Sequence, residues 1–546
     1  MRQRCESIAT LMQGAWPEAS TRIESAVFRP AGPMDAPAGQ GPAAAEPLIL
    51  PAHCDLVGRM QERTGIDGQP YAIRFHLRLP AEWNGRFFMQ GGGGTNGNLG
   101  DAVGDTGGNQ PALAQGYAVL SQDSGHDNAV NSSPERGGAT SFGLDPLARA
   151  NYGHASLPLS VGAAKAGIAQ FYGDGPSLSY FFGCSKGGQE GMVLAQRYPA
   201  LFDGIVAAAP GMSLPRAAIA EAWDTQSFAL AAEKPLTPAS LAASFSDADL
   251  HLVREAVLDA CDAQDGLADG IVSDFPACTS ATVLPALSAR TCTGDKQEGC
   301  LSAAQITALK RVQEGPRNLP GEALYKAFPW DAGWSDAGWR IWKIGAANGG
   351  IPSLNVAMGA PALAQVFTVP PANPGSGLQG ALAYAMQFDF NRDAPAIYAR
   401  SAAFPRPAWE DIGARSPDIA AYAARGGKLI VPHGVSDPAF SVADTTSWWE
   451  EVNRRMSGRA AQTVRVFPIP GMGHCRGGPA TDQYDAFGAL VDWVERGDAP
   501  ERLLATAGPN SPWPGRSRPL CPWPQIAHYK GQGDTSAAES FTCTAP

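Results

Sequence analysis

Apolar residues along this chain come mostly in short runs broken by glycine and proline, and only in places at helical spacing. YAIRFHLRLP, from Tyr71 to Pro80, alternates apolar and polar positions as a strand with one buried face does. GRFFMQ (Gly85 to Gln90) is a second strand and empties into the glycine-rich GGGGTNGNLGD. YAVLSQDSGHD supplies a third whose end carries polar residues, and SYFFGC a fourth. KGGQEGMVLAQRYP, directly after Ser185, has helical spacing and stops at a proline. Much later, GGKLIVPHG and VRVFPIPG are two short apolar strands, and DQYDAFGALVDWVERG is an amphipathic helix closed by a glycine. Strands alternating with helices, with polar residues at the strand ends, predict an α/β fold around a mostly parallel sheet.

Between Gly211 and about Gly427 the pattern changes to a stretch with four cysteines, clustered acids, many tryptophans and Pro/Gly-rich connections. The division expected is a sheet domain in two parts, 1–211 and 428–546, with 212–427 inserted as a lid. No internal repeat is visible. Composition narrows the class: 44% hydrophobic and 17% charged residues in 546 imply a sizeable core, and a net charge of −11 speaks against a nucleic-acid partner. No apolar stretch reaches membrane-spanning length. MRQRCESIATLMQ lacks the charged, apolar, small-residue order of an export signal. Ten cysteines, several in close local pairs, nevertheless favour a disulfide framework over buried thiols. The expectation is an exported protein, periplasmic or extracellular, whose signal has been removed.

Gly183-Cys184-Ser185-Lys186-Gly187 fits G-x-S-x-G. A glycine-rich chain matches that pattern easily by chance, but here a strand precedes Ser185 and a helix follows, the context a nucleophile turn requires. A serine hydroxyl needs a base, and the base an orienting acid. His474 lies in PGMGHC after the strand VRVFPIP, and Asp437 in PHGVSDPAF after KLIVP. Singly, a loop histidine is usually a surface group and SDP an ordinary turn. The order Ser185, Asp437, His474 at strand ends is that of an α/β-hydrolase. If Ser185 and His474 meet, their neighbours Cys184 and Cys475 come close enough for a disulfide fixing base against nucleophile. Cys184 as the nucleophile is the weaker alternative, because the turn exposes the serine.

This Cys-Ser, Asp, His-Cys arrangement, with RTGIDGQPY, PAEWNGRFFMQGG, GHDNAVN, SFSDADLHL, CDAQDGLADGIV and RPLCPWPQIAHYKG, resembles the tannase and feruloyl esterase family over nearly the whole chain. The resemblance implies an α/β-hydrolase core with a large inserted lid, and an oxyanion hole from the backbone N–H groups of Gly94 and Lys186, the Lys186 side chain being dispensable. It implies disulfides Cys5–Cys54, Cys184–Cys475, Cys261–Cys278, Cys292–Cys300 and Cys521–Cys543, a choice among about a thousand pairings that spacing alone leaves open. CDAQDGLADGIVSDFPAC brings Asp262, Asp265 and Asp269 together in a loop that reads equally well as a calcium site or as a solvated acidic turn. The resemblance favours structural Ca2+, with the carbonyls of Leu267 and Ile271 completing the ligands.

The lid should choose the substrate. No charged residue occurs between Lys343 and Asp389, which reads either as packed core or as an apolar wall for an aromatic acyl group. By resemblance Trp342, Met358, Phe367 and His433 stand near the substrate. Family members acting on terephthalate monoesters grip the free carboxylate with a lid arginine, and Leu354 occupies that place here. Neutral aromatic esters are therefore expected, hydrolysed through an acyl-enzyme without an organic cofactor by a monomer with no membrane span. The alternatives are a tannase or feruloyl esterase acting on plant phenolic esters, and a calcium-stabilised binding protein with a dead hydrolase core.

Overall fold

A computed structural model describes residues 1–34, 48–108 and 110–546. Nine strands form one twisted sheet: β1 (Arg22–Arg29), β2 (His53–Thr64), β3 (Pro70–Pro80), β4 (Arg86–Gln90), β5 (Ala118–Gln122), β6 (Leu178–Cys184), β7 (Gly204–Ala208), β8 (Lys428–Gly434) and β9 (Val464–Ile469). Their spatial order is β1-β2-β3-β5-β4-β6-β7-β8-β9. The first three run antiparallel to their neighbours, and every pair from β5 onward is parallel. The expectation of a mostly parallel sheet holds, and each strand read from the sequence is present. Three were not read. β1, at the sheet's edge, and β2 beside it mix charges into their alternation because one face of each is incompletely covered, and the small residues of β7, GIVAA, are buried on both faces.

Helices cover both faces. α1 (Arg2–Leu11) is fastened to β2 by the disulfide Cys5–Cys54. α2 (Ser156–Tyr172) and α3 (Lys186–Arg197) pack on one apolar cluster, formed around Phe75, Phe87, Met89 and Phe181. The other face is closed by the C-terminal amphipathic helix Ala486–Arg496 through Phe487, Leu490 and Trp493.

From 212 to 427 the chain contains no sheet strand. α4 (Leu214–Phe228), α5 (Asp247–Cys261) and shorter helices pack around Phe228, Phe245, Trp330, Trp334 and Trp339, an apolar cluster drawn entirely from this stretch. The stacked Trp330, Trp334 and Trp339 rings explain the tryptophans seen in the sequence.

Buried polar links fasten this stretch to the sheet. Arg149, which is inaccessible to solvent, pairs with Asp411 at 2.8 Å. Asp331 Oδ2 accepts from Ser436 Oγ and from Gly471 N–H, each at 2.7 Å. Arg518 near the C-terminus pairs with Asp269.

Candidate active site

Ser185 sits at the sharp corner between β6 and α3 with φ +65° and ψ −120°, a left-handed conformation costly for a residue with a Cβ. The corner closes because its flanks are glycines: a Cβ on Gly187 would come within 2.7 Å of the Gly92 carbonyl oxygen. Lys186 begins α3, so its N–H has no carbonyl inside the helix to bond.

Asp437 follows β8 and His474 follows β9, at the same end of the sheet. His474 Nδ1 lies 2.8 Å from Asp437 Oδ2. Asp437 Oδ1 accepts from the N–H groups of Ala439 and Phe440 at 2.8 and 3.0 Å. Burial alone would raise the Asp437 carboxyl, but the charges and hydrogen bonds of His474 and His433 hold it well below the ordinary carboxylate range. It therefore stays ionised and keeps the proton on Nδ1, leaving Nε2 basic. The His474 ring stands edge-on to Trp342 and Phe440, with centroids 5.1 and 5.3 Å away. Its Nε2 is buried and has no hydrogen-bond partner among the described residues, so the contact with Ser185 expected from the sequence is not formed in this state. Catalytic hydrogen bonds commonly tighten only when substrate is bound.

Cys184 and Cys475 are joined, with α-carbons 6.1 Å apart, and the other four disulfides pair as the resemblance implied.

A narrow, partly open cavity lies at Ser185. Gly94 and Lys186 lie on its wall, as do Trp342, Met358 and Phe367; Leu354 does not. His433 is placed differently from expectation. It is fully buried behind Asp437, between Thr445 Oγ1 at 2.8 Å and the Phe440 carbonyl at 3.0 Å, so it braces the acid and does not reach the cavity.

The Lys186 side chain also departs from expectation. It is buried, packs over the Tyr152 ring and pairs with Glu190 at 3.0 Å. Glu190 in turn accepts from Gly92 N–H at 3.0 Å and from Asn96 Nδ2 at 2.9 Å, tying the glycine-rich loop of Gly94 to the nucleophile helix. The i, i+4 spacing of Lys186 and Glu190 was the signal available in the sequence. Asp331 was also missed; it joins the loops of Asp437 and His474 through Ser436 and Gly471. Nothing local marks it beyond its place among tryptophans.

In the acidic loop, Asp262 accepts from Gly270 N–H, Asp265 from Leu267 and Ser273 N–H, and Asp269 from Ile271 N–H. Burial, together with the Asp269 charge, raises the Asp265 carboxyl to about 6, and Asp262 is raised for the same reasons. Among the described residues no three His, Cys, Asp or Glu side chains converge as a metal cluster. Buried Asp265 and half-buried Asp262, neither with a cationic partner among the described residues, still form a donor set that suits a hard, oxygen-seeking cation.

A family model for tannase and feruloyl esterase matches residues 54–544. A mono(2-hydroxyethyl) terephthalate hydrolase of Piscinibacter sakaiensis is 46% identical over 97% of this chain and 90% of its own length. A probable feruloyl esterase of Arthroderma benhamiae is 30% identical over 86% of this chain and 81% of its own. The crystal structure of feruloyl esterase B from Aspergillus oryzae superposes with a TM-score of 0.75 over the full length of both chains at 21% identity, a likeness of fold.

Proposed function

We propose that this chain, which belongs to the tannase and feruloyl esterase family, hydrolyses aromatic carboxylic esters by two-step acyl transfer at Ser185. Ser185 Oγ attacks the ester carbonyl while His474 Nε2 takes its proton, and the N–H groups of Gly94 and Lys186 hold the oxyanion. The C–O bond to the alcohol breaks, and His474 returns the proton to the leaving oxygen. Water, deprotonated by the same nitrogen, then releases the acid and regenerates the serine. Asp437 holds the imidazole tautomer throughout. The observation that carries this reading is the cavity itself, which gathers Ser185, Gly94 and Lys186 against Trp342, Met358 and Phe367.

Neutral aromatic esters are the preferred substrates. Lys186 is the one cation on the described cavity wall, and its charge is already matched by Glu190. A substrate carboxylate would enter without a partner, at a large desolvation cost. Calcium in the 262–271 loop belongs to the same proposal as a structural ion, held by Asp262, Asp265 and Asp269 with the Leu267 and Ile271 carbonyls. The five disulfides, with no free cysteine among the described residues, support folding in an oxidising compartment.

The test is chromatography of products from mono- and bis(2-hydroxyethyl) terephthalate, methyl ferulate and methyl gallate, with Ser185→Ala as blank. Labelling of Ser185 by a serine-directed phosphonate separates an enzyme from a binding protein. Hydrolysis retained in Ser185→Ala would overturn the mechanism, and fast turnover of the monoester alone would overturn the preference for neutral esters.

A further inference from the structure

Helix α4 runs along the cavity and presents Leu214, Ala217, Ala218 and Glu221 to it, the i, i+3, i+4, i+7 stripe of one helical face. Its first turn adjoins the nucleophile corner, where Gly211 N–H bonds the Ser185 carbonyl at 3.2 Å. At the helical rise, Glu221 lies about 10 Å further along the wall than Leu214. An aromatic acyl group bonded to Ser185 and laid along this face points its para substituent that way.

Glu221 is the one carboxyl on the described wall, and it is only 7% exposed. The nearby Lys343 ammonium is engaged by Asp224 in a buried pair and is not available to it. No described residue hydrogen-bonds the Glu221 carboxyl; only burial and the charges of Lys343 and Asp224 act on it. The carboxyl lies against Gly359, where a Cβ would stand 2.0 Å from Oε2 and displace it. Burial raises this acid to about 8, with Lys343 opposing and Asp224 adding to the rise. At neutral pH it is therefore a protonated acid with one donor and a free acceptor.

We propose that Glu221 selects the acyl group by exchanging hydrogen bonds with a phenolic hydroxyl at the far end of a hydroxycinnamoyl- or hydroxybenzoyl-type ester. This deepens, and rests on, the reading of the cavity as an aromatic acyl site. A phenol both donates and accepts, and so satisfies both oxygens of a neutral carboxyl. An unsubstituted ring leaves them buried and unpaired, which is the costly outcome. A free carboxylate offers acceptors only and brings a charge that nothing on the wall balances.

The test compares kcat/KM for methyl 4-hydroxycinnamate and methyl cinnamate in the wild type, Glu221→Gln and Glu221→Leu. The wild type should prefer the hydroxylated ester by about tenfold to a hundredfold, the discrimination a buried hydrogen-bonding site supplies. Glu221→Leu should abolish the preference by slowing the hydroxylated ester and speeding the other. Glu221→Gln, which keeps a donor and an acceptor in place, should retain most of it and shows that the change is not a folding defect. An unaltered preference in an active Glu221→Leu enzyme overturns the assignment alone. A wild type inactive on both esters, and on every other aromatic ester tried, overturns the acyl-site reading as well.

Discussion

Replacing Cys184 and Cys475 together by alanine asks how far the site depends on the bridge between its nucleophile turn and its histidine loop. The closed loop spans 291 residues. In the chain-entropy treatment such a closure restricts the denatured chain by about 5–6 kcal/mol, against about 2–3 kcal/mol for a loop the size of Cys292–Cys300. With about 2 cal/mol/K of unfolding entropy per residue, the larger loss lowers Tm by roughly 5 °C in a chain of 546 residues. Activity should respond more sharply. His474 Nε2 has no bond to hold it toward Ser185, and beyond the disulfide it is positioned by Asp437 and two aromatic edges. Displacement of the base by about 1 Å lowers kcat by roughly a hundredfold with little change in KM. Calorimetry and steady-state kinetics on a soluble aromatic ester read both effects, and Cys292→Ala/Cys300→Ala is the control, losing stability without losing kcat. A Cys184→Ala/Cys475→Ala enzyme with kcat within twofold of wild type would refute the preorganising role, whatever its Tm.

Lys186→Met leaves Glu190 buried with only the neutral donors of Gly92, Asn96 and Ser124; urea melts should show a loss of about 3 kcal/mol, and kcat should fall as the Gly94 loop loosens. A loss below about 1 kcal/mol would contradict the bracing role. Glu221 is raised from 4.5 to about 8, so the native state holds a proton that the unfolded chain releases from about pH 4.5 upward. Wild-type stability should therefore decline relative to Glu221→Gln between about pH 4.5 and 8, with Lys343 and Asp224 common to both proteins; parallel Tm curves would refute it. Chelation should lower Tm and added calcium restore it, while activity at low temperature changes little; an unchanged Tm would remove calcium from the 262–271 loop.

The sequence made the chain order of the candidate triad legible because each member stands at the end of an apolar run, and residue order along a parallel sheet becomes position along its edge. Doubling of Ser185 and His474 by cysteines carried spatial information for the same reason. Residues that act by being buried were harder to see. Glu221 reads as one acid in the alanine-rich LPRAAIAEAWDTQSF, and nothing local says that its face borders a cavity while Lys343 is spent on Asp224. His433 was placed near the substrate by resemblance, but at the end of β8 it is buried against Asp437, Thr445 and the Phe440 carbonyl and lines no part of the cavity. Lys186 was read through its backbone alone, whereas its four-residue spacing from Glu190 already placed two opposite charges on one helical face.

The inserted stretch is tied down at separated points: Arg149 with Asp411, Asp331 with Ser436 and Gly471, and Arg518 with Asp269. A cover held by buried ion pairs and hydrogen bonds on several sides is a fixed wall, because swinging it away would strand each of those groups without a partner. Admission to Ser185 is thus governed by the size of the cavity and not by a hinge. The enzyme should show ordinary saturation with dissolved esters and no jump in rate at an oil–water interface, and a long polyester strand should be refused where its small soluble fragments are admitted.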